Sequence, residues 1–551
     1  MNIVYYLLGQ FFNEERFNLF FMVLLSFVIN IFQTNGISFI TARIIEEVYN
    51  FNKKLAFTYF KYFIIVSSLY VCLSSFYKHY QNKILTKLRQ WMRHQLLKMI
   101  LLFNNENYSE MNFTKLNSPI NRISSVSFMV FNDIITYLLP NLTFLLIVYS
   151  YFLYKHFFFG GTFIFGNLFL ILYFWNIWKN MLEHNEEYEK FVGETEAYMI
   201  EVLNNIDKII YRGQTKQEIK VFNNKTEKSI NKAMEFYSNV NFHCTMLVVI
   251  LYVILFVSIG QLMYLFFKKK VDVTVFITFF TILLLYRDKM ISVIQQIPDF
   301  VEFLGRSDTV LKHFQNIEDK IPSLFENKAK RNGELPFHKI RFENIAFKYT
   351  TNNTYLFDNF NIDLNTENKI IGITGLSGNG KSTFAKLLLK MYTPERGKIY
   401  IDGEDICHLD ADYIRKNITY VNQSSKLFDK KVVENMLYGC NDLDVCNRYL
   451  NEMMGYEKIK ELYKKMDIYT KNSGSLGENL SGGQRQVVNI LSGLINPCKI
   501  LILDEPTNAL DIELKREVLQ LIKECRKHKN CIIIITHDND VFPLFDEKIE
   551  I

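Results

Sequence analysis

Two short segments of this chain carry side chains suited to binding a nucleotide and cutting its phosphate chain. In GLSGNGKS, residues 375–382, the glycines let backbone N–H groups approach phosphate oxygens, and Lys381 adds a positive charge for the β- and γ-phosphates. In LILDEP, residues 501–506, an apolar run ends in Asp504 and Glu505. An aspartate at such a strand end can hold Mg²⁺, and the glutamate beside it can polarise an attacking water. The two segments together predict Mg²⁺-dependent phosphoryl chemistry.

A third segment is LSGGQ at residues 480–484. Its serine, Ser481, stands one hundred positions after Lys381. Ser481 and the backbone amides of Gly482 and Gly483 predict an anion site at a helix N-terminus, suited to a γ-phosphate. A glycine-rich turn or a pair of acids can arise by chance. The three segments in this order and spacing leave little room for coincidence.

This combination resembles the ATP-binding cassette (ABC) proteins, in which LSGGQ closes over a nucleotide held by a second copy of the cassette. Further residues match that family in chain order. Tyr349 matches the aromatic that stacks on adenine, and Gln423, in YVNQSSKLFD, matches the glutamine that reaches the metal and the water. His537 matches the histidine that holds the γ-phosphate, and residues 508–511 (NALD) match the loop that communicates across the dimer.

The resemblance therefore implies ATP and Mg²⁺ as ligands and a defined set of site residues. The implied catalytic residues are Glu505, His537, Lys381 and Gln423, and the implied metal ligands are Ser382, Gln423 and Asp504. The implied nucleotide-binding residues are Tyr349, Gly375, Ser377, Gly378, Asn379, Gly380, Lys381, Ser382, Thr383, Ser481, Gly482, Gly483 and Gln484. The helix behind LSGGQ departs from the family, because Val487 and Ser492 stand where arginines are usual. We expect this departure to alter helix packing rather than hydrolysis.

We expect short β-strands to hold these residues in place. Residues 370–374, 500–503 and 532–536 are continuous apolar runs with turn or loop residues at their ends, as in parallel strands buried on both faces. Residues 340–349 carry apolar side chains near strand spacing and open the domain. We therefore predict an α/β domain whose chemistry lies at the carboxyl ends of parallel strands.

The first half of the chain predicts a membrane domain. The composition is 49% apolar with 49 Phe and 32 Tyr, which is high for a soluble protein. Six runs are long enough to cross a hydrocarbon core of about 30 Å, allowing for short or charged stretches in the second and sixth; they are residues 17–42, 55–77, 134–154, 157–178, 236–267 and 273 onward. Residues 1–16 predict an amphipathic surface helix rather than a removed signal peptide. The net charge of +6 is small and dispersed, so we expect no nucleic-acid partner.

The predicted fold class is an α-helical six-span transmembrane domain fused to an α/β P-loop cassette. We predict a transmembrane domain at 1–305, a linker at 306–336 and the nucleotide-binding domain at 337–551. The N-terminus and nucleotide domain are expected in the cytosol, since the long basic loops 78–133 and 179–235 then lie inside. The resemblance implies transverse helices that touch the nucleotide domain near 105–111 and 209–213; plain turns between helices are the alternative.

By resemblance the chain is an exporter-type half-transporter, similar to multidrug, lipid and peptide exporters, that moves an unidentified substrate by alternating access. An ATP-gated channel or sensor and an importer of the same fold stay open as alternatives. The partner is a second copy of the chain, with a heterodimer also possible, in contact with membrane lipid. Arg287, Asp288 and Lys289 interrupt the sixth run, where they either face a substrate path or mark the inner interface.

Overall fold

We describe the protein from a computed structural model. The structure describes residues 3–106, 117–311, 334–349, 354–376, 378–423, 426–440, 442–453 and 455–551. The chain divides into two compact units, Met1–Ile100 with Met111–Leu324, and Leu101–Glu110 with Phe325–Ile551. Because residues 312–333 lie outside the described ranges, the predicted domain borders stay predictions.

The described part of the first unit is helical throughout, and its helices alternate between long apolar stretches and polar extensions. A π-helical segment, Phe32–Ser38, joins α2 to α3, and another, Ile134–Leu138, joins α5 to α6. The helices are α1 Ile3–Glu14, α2 Arg16–Ile31, α3 Phe39–Tyr49, α4 Lys53–Glu106, α5 Asn117–Asp133, α6 Leu139–Lys155, α7 Phe157–Asn204, α8 Ile206–Tyr211, α9 Thr215–Phe267, α10 Val273–Gln295 and α11 Ile297–Leu311.

Within the described residues, five helical stretches are long and apolar enough to cross a membrane: Arg16–Tyr49, Lys53–Leu102, Ile123–Lys155, Phe157–Asn204 and Thr215–Phe267. They contain the first five predicted runs. The sixth run forms α10, which has 23 residues and is long enough, but it is not among them. The reason is that Arg287, Asp288 and Lys289 place three charged residues together in this helix. The count of six spans therefore stays a prediction.

The described residues of the second unit form two sheets. The strands are β1 Lys339–Phe347, β2 Phe357–Asn365, β3 Lys369–Thr374, β4 Arg396–Ile401, β5 Glu404–Asp405, β6 Ile418–Val421, β7 Ile500–Asp504, β8 Cys531–Ile535 and β9 Glu547–Glu550. An antiparallel sheet has the order β2-β1-β4-β5, and a parallel sheet has the order β6-β7-β8-β3-β9. The α-helices that accompany them are α12 Lys381–Leu388, α13 Ala411–Asn417, α14 Val432–Met436, α15 Leu443–Met453, α16 Glu457–Met466, α17 Gly482–Ile495 and α18 Ile512–Cys525.

The centre of the parallel sheet is where the apolar runs of the sequence lie. Every residue of β7 and of β8 is buried, because helices cover both faces of the sheet. Burying one Ile or Leu side chain contributes roughly 1.5–3 kcal/mol relative to leaving it exposed. The central strands are thus the rigid base from which the loops at their carboxyl ends project.

Candidate nucleotide site

The order of the parallel sheet brings four of the predicted motifs to one edge. β6, β7, β8 and β3 are consecutive neighbours and run in the same direction. Gln423 follows β6, Asp504 ends β7, His537 follows β8 and residues 375–382 follow β3. Ligands of open α/β sheets bind outside the carboxyl ends of the strands. The motifs, scattered over about 160 residues of sequence, are therefore placed side by side by strand pairing.

The loop after β3 has the backbone geometry of an anion cradle. Gly375, Gly378 and Gly380 have φ of +141°, +92° and +96°, which only glycine adopts without strain. A Cβ at Gly380 would lie 2.7 Å from the Phe357 ring, so a larger residue would disturb the start of α12. Gly380 is the N-cap of α12, which directs free backbone N–H groups into the loop.

The side chains of this loop fit a phosphate chain with Mg²⁺. The Lys381 ammonium donates to the carbonyl oxygens of Gly375 at 3.0 Å and Leu376 at 2.9 Å, which holds it over the loop. Ser382 is the next residue of the helix, and Asn379 donates to the Ile551 carbonyl at 3.3 Å. Ser377, also predicted to bind nucleotide, lies outside the described residues. Hard oxygen donors such as a hydroxyl and a carboxylate are suited to Mg²⁺, which keeps further positions for phosphate and water.

Glu505 is held in a strained position at the end of β7. Its φ is +50°, the left-handed region that costs a non-glycine residue on the order of 1 kcal/mol or more. Its backbone N–H donates to the Ile535 carbonyl at 2.8 Å, and its carboxylate is 2.6 Å from His537 Nδ1 and accepts from Thr536 Oγ1 at 3.2 Å. The Glu505 side chain is only 9% exposed, whereas that of His537 is 70% exposed. A buried carboxylate with one face toward an accessible imidazole can orient a water molecule.

Tyr420, on β6, hydrogen-bonds two of the predicted Mg²⁺ ligands, Asp504 and Ser382. The sequence analysis did not identify Tyr420 as a site residue. Its hydroxyl donates to Asp504 Oδ2 at 2.7 Å and also hydrogen-bonds the Ser382 side chain. Burial, and then the Asp504 carboxylate, raise the pKa of Tyr420 well above its ordinary value, so the hydroxyl stays protonated. The signal in the sequence was weak: a strand tyrosine three residues before Gln423 has no distinctive spacing.

Tyr349, predicted to stack on adenine, lies beside the phosphate-binding helix. Its hydroxyl is 2.6 Å from Thr383 Oγ1, and its ring packs edge-on against Tyr392 at 5.5 Å between centroids. The hydrogen bond places Tyr349 next to Thr383, at the start of α12. Adenine stacking itself stays a prediction.

LSGGQ opens helix α17 through a reciprocal cap. Ser481 Oγ accepts from the Gln484 backbone N–H at 3.3 Å, and Gln484 Oε1 accepts from the Ser481 N–H at 3.0 Å. This capping box satisfies two donors that would otherwise be free at the helix start. Gly483 approaches the 508–511 loop so closely that a Cβ would lie 2.8 Å from the Ala509 carbonyl oxygen. Glycine is therefore required at Gly483 by packing within the chain.

The residues behind LSGGQ connect it to the hydrolytic site and to the core. Gln486, which the sequence did not single out, is buried and donates to the carbonyl oxygens of Glu505 at 3.3 Å and Pro506 at 3.4 Å. Val487 is fully buried in a hydrophobic cluster, so its apolar side chain packs the core. This agrees with the expectation that the departure from the family affects packing.

The described side-chain hydrogen bonds of the LSGGQ segment lie within its own helix start. Among the described residues, no hydrogen bond joins the 480–484 segment to the loop and helix start at 375–383. Gln423 is exposed at the carboxyl edge of the sheet, next to residues that lie outside the described ranges. One chain thus places the phosphate-binding loop, Asp504, Glu505 and His537 at one edge of the sheet, and among the described residues Ser481 makes no hydrogen bond to that loop.

Comparison with known proteins agrees with this architecture. Residues 357–508 match the sequence profile of the family described as ABC transporter. A Rickettsia conorii protein named as an export ATP-binding/permease protein is 36% identical over 231 residues, which are 42% of this chain and 39% of that protein. The alpha-hemolysin translocation ATP-binding protein HlyB of Escherichia coli is 35% identical over 197 residues, which are 35% of this chain and 27% of HlyB. These alignments span well under half of each relative.

A solved structure extends the likeness to the whole chain. The structure of a bacterial Atm1-family ABC exporter with ATP bound superimposes with a TM-score of 0.79, covering 98% of this chain and 93% of that chain at 18% identity. At this identity the likeness shows the fold. Together with the apolar helices, it marks the chain as an integral membrane protein. Residues 357–508 are therefore similar in sequence to the ABC transporter family, and the chain as a whole shares the fold of the bacterial ABC exporter.

Proposed function

We propose that the chain is one half of an ATP-driven exporter, in which hydrolysis at Glu505 drives movement of a substrate across the membrane. The observation that carries this proposal is the 2.6 Å contact of buried Glu505 with His537 beside the phosphate-binding loop, in a chain whose other half has five apolar membrane-length stretches. The substrate classes that fit such a fold are lipids, peptides and hydrophobic small molecules.

The hydrolytic step follows from the side chains at the sheet edge. Lys381 and the amides at the start of α12 hold the phosphates, and Ser382, Asp504 and Gln423 would hold Mg²⁺. When bound, this ion neutralises charge on the phosphate oxygens. Glu505 accepts a hydrogen bond from the attacking water, and His537 contacts the γ-phosphate, so that the water is aligned for attack.

The complete site is proposed to need two chains. Ser481, with the Gly482 and Gly483 amides, presents an anion site that makes no hydrogen bond to its own phosphate-binding loop among the described residues. In a homodimer, Ser481 of each chain would meet the ATP held by Lys381 of the other. Two-fold symmetry makes both sites equivalent, which suits a chain that carries both half-sites.

The proposed membrane arrangement has six spans, with α10 as the sixth, and places the N-terminus and the ATP-binding domain in the cytosol. The basic residues of the long extensions support this orientation. In alternating access, ATP binding would bring the two ATP-binding domains together, and hydrolysis would reset them.

Reconstitution tests the proposal. We expect the purified chain in phospholipid vesicles to hydrolyse ATP and to accumulate a stimulating compound on the side opposite the ATP-binding domain. Measuring ATPase activity across lipids, peptides and hydrophobic small molecules identifies the stimulating class. ATP-dependent conductance without uphill movement would indicate a channel instead, and transport toward the ATP-binding domain would indicate an importer.

The end of α4 offers a separate test of how the ATP-binding domain senses substrate. Within the second unit, the Arg415 guanidinium donates to both the side-chain and the backbone oxygen of Asn105, and to the carbonyls of Leu389 at 3.0 Å and Lys390 at 3.1 Å. Asn105 begins the first predicted transverse stretch, whose residues 107–111 lie outside the described ranges. The second stretch, residues 209–213, contains the last three of the six residues of α8, and its contact with the ATP-binding domain stays a prediction.

We expect Arg415→Ala to reduce substrate stimulation of the ATPase by more than half while basal activity stays within about twofold, because charge-assisted hydrogen bonds to Asn105 are lost. Because Arg415 also bonds Leu389 and Lys390, Asn105→Ala serves as a second variant that removes only the side-chain acceptor. Arg396→Ala, which removes an exposed arginine paired with Asp358, is the control. Full stimulation in both test variants would exclude this contact from coupling.

A further inference from the structure

A cavity with both polar and apolar lining residues lies among the helices of the first unit. Its volume is about 560 Å³, and it is lined by residues of α2, α4, α6, α10 and the two π-helical segments. This volume is in the range of small-molecule sites, roughly 300–1,000 Å³. Gln33 lies in the first π-helical segment and Thr136 in the second. π-helical turns within α-helices occur frequently at functional sites.

The charged residues that line this cavity are all positive. Lys78 and Lys289 both line it, and none of its described lining residues is an aspartate or glutamate. In a membrane domain a charged side chain faces protein or a water-filled cavity rather than lipid. Lys289 stands sixteen residues after Val273, so it lies about 24 Å along α10, within a hydrocarbon core of about 30 Å if α10 begins at its edge.

The three charged residues of α10 separate into two groups. Arg287 pairs with its neighbour Asp288 at 2.8 Å, with side chains 34% and 63% exposed. Lys289 instead points into the cavity, where its Nζ is 3.4 Å from Asn30 Oδ1 and 5.0 Å from the centroid of the Phe144 ring. Among the described residues, no carboxylate lies within ion-pair distance of Lys289. Its positive charge is therefore left uncompensated.

The protein fixes the orientation of Lys289's neighbour Asn30. Asn30 Nδ2 donates to the Pro140 carbonyl at 2.8 Å and to Thr143 Oγ1 at 2.7 Å, which leaves Oδ1 directed at the lysine. Gln33 Oε1 and Ser74 Oγ are both inaccessible to solvent, and neither has a hydrogen-bond partner among the described residues. A buried polar atom without a partner is unfavourable, so a ligand that accepted from the Ser74 hydroxyl or donated to Gln33 Oε1 would be favoured.

We infer that this cavity is a substrate site in which Lys289 recognises an anionic group, such as a carboxylate, on a small molecule with an apolar body. The uncompensated ammonium supplies the counter-charge, and the Ser74 hydroxyl can donate a further hydrogen bond to the anion, whereas Gln33 Oε1 can accept one from a donor elsewhere on the ligand. The inference rests on the proposed function and narrows its substrate to anionic amphiphiles. The shared chemistry is the anion, which a free carboxylate or a lipid headgroup can supply.

The test compares two probes that differ only in charge. Dansyl-leucine carries a carboxylate and dansyl-leucinamide a neutral amide, and each is titrated by fluorescence against the full-length protein in phosphatidylcholine vesicles without ATP. We expect the wild type to bind the carboxylate at least about tenfold more tightly, since a hydrogen bond to a charged group is worth about 1.5–3 kcal/mol. Lys289→Gln should abolish this preference, and Lys289→Arg should retain it.

Arg287→Gln is the matched control, because it removes a cation of the same helix that is already paired with Asp288. It should keep the preference for the carboxylate. Repeating the titration with phosphatidylglycerol in the vesicles separates the sources of the anion: competition that vanishes in Lys289→Gln supports the same site with a lipid headgroup as ligand.

Equal binding of the two probes by the wild type, or an undiminished preference in Lys289→Gln, would overturn the inference. The apolar groove of about 710 Å³ between α7 and α9, which has no charged lining residue, would then be the better site. The titration needs no ATP. If the protein lacked ATPase activity, the proposed function would be refuted, but the binding preference for the carboxylate could still be measured and interpreted.

Discussion

Glu505→Gln should reduce ATP turnover by about 10²–10⁴-fold while ATP binding persists, because the amide keeps the size of the side chain but cannot accept the proton of the attacking water. The structure gives the reason for so large an effect. The carboxylate is almost fully buried, and its backbone is held at φ +50° by a hydrogen bond to Ile535. A group positioned so rigidly is not readily replaced by a neighbouring acid or by solvent.

The variant should also accumulate a dimer with ATP enclosed between its two ATP-binding domains, since the step that separates them is blocked. Phosphate release measures the first effect, and size-exclusion chromatography with ATP measures the second. Glu513→Gln is the control, because Glu513 is 71% exposed and pairs with Lys458 on the surface. Turnover by Glu505→Gln within a few-fold of the wild type would remove Glu505 from catalysis.

Ser481→Asp should prevent ATP from being enclosed on the partner's loop and not on its own. Aspartate retains the N-cap of α17, because its side chain also accepts from the backbone N–H groups at the helix start. Its negative charge, however, repels the γ-phosphate at the anion site. Ser481→Asn is the matched control, since it caps equally well and is neutral. Stability should therefore be similar in the two variants, and only the aspartate should abolish enclosure.

The arrangement of two substitutions decides whether the site is shared. Lys381→Ala removes the phosphate-binding charge of one half-site, and Ser481→Asp removes the anion site of the other. With both changes in one chain and a differently tagged wild-type partner, a shared geometry leaves no intact site. With the changes on opposite chains, it leaves one. Enclosed ATP, counted per purified heterodimer, should be absent in the first arrangement and present in the second; the reverse result would mean that each chain completes its own site.

Local sequence chemistry predicted the nucleotide half well. Local signals include the glycines of 375–380, the acids at 504–505 and the apolar runs before them. A few consecutive residues are enough to recognise a flexible backbone or a continuously buried strand. Those runs form β3, β7 and β8, and the reciprocal cap at Ser481 and Gln484 follows from the same kind of short-range pattern.

Local sequence signals did not predict contacts between segments that are distant in the chain. Tyr420 bridges Asp504 and Ser382, and Gln486 reaches the carbonyl of Glu505, yet nothing in their spacing marks either residue. Strand pairing and helix packing create these contacts. The membrane half shows the same limit, since composition could not say whether α10 crosses the bilayer.

Neighbouring residues were enough to predict a phosphate-binding loop, an acid pair after an apolar run, an LSGGQ helix and a series of apolar helices. Which of the three adjacent charges on α10 faces a cavity became visible only in the folded chain. Arg287 and Asp288 neutralise each other, while Lys289 meets Asn30 from a helix more than 240 residues earlier in the chain. That distinction depends on the direction in which each side chain projects from a helix of 3.6 residues per turn. It also depends on which residues of other helices lie opposite that side chain.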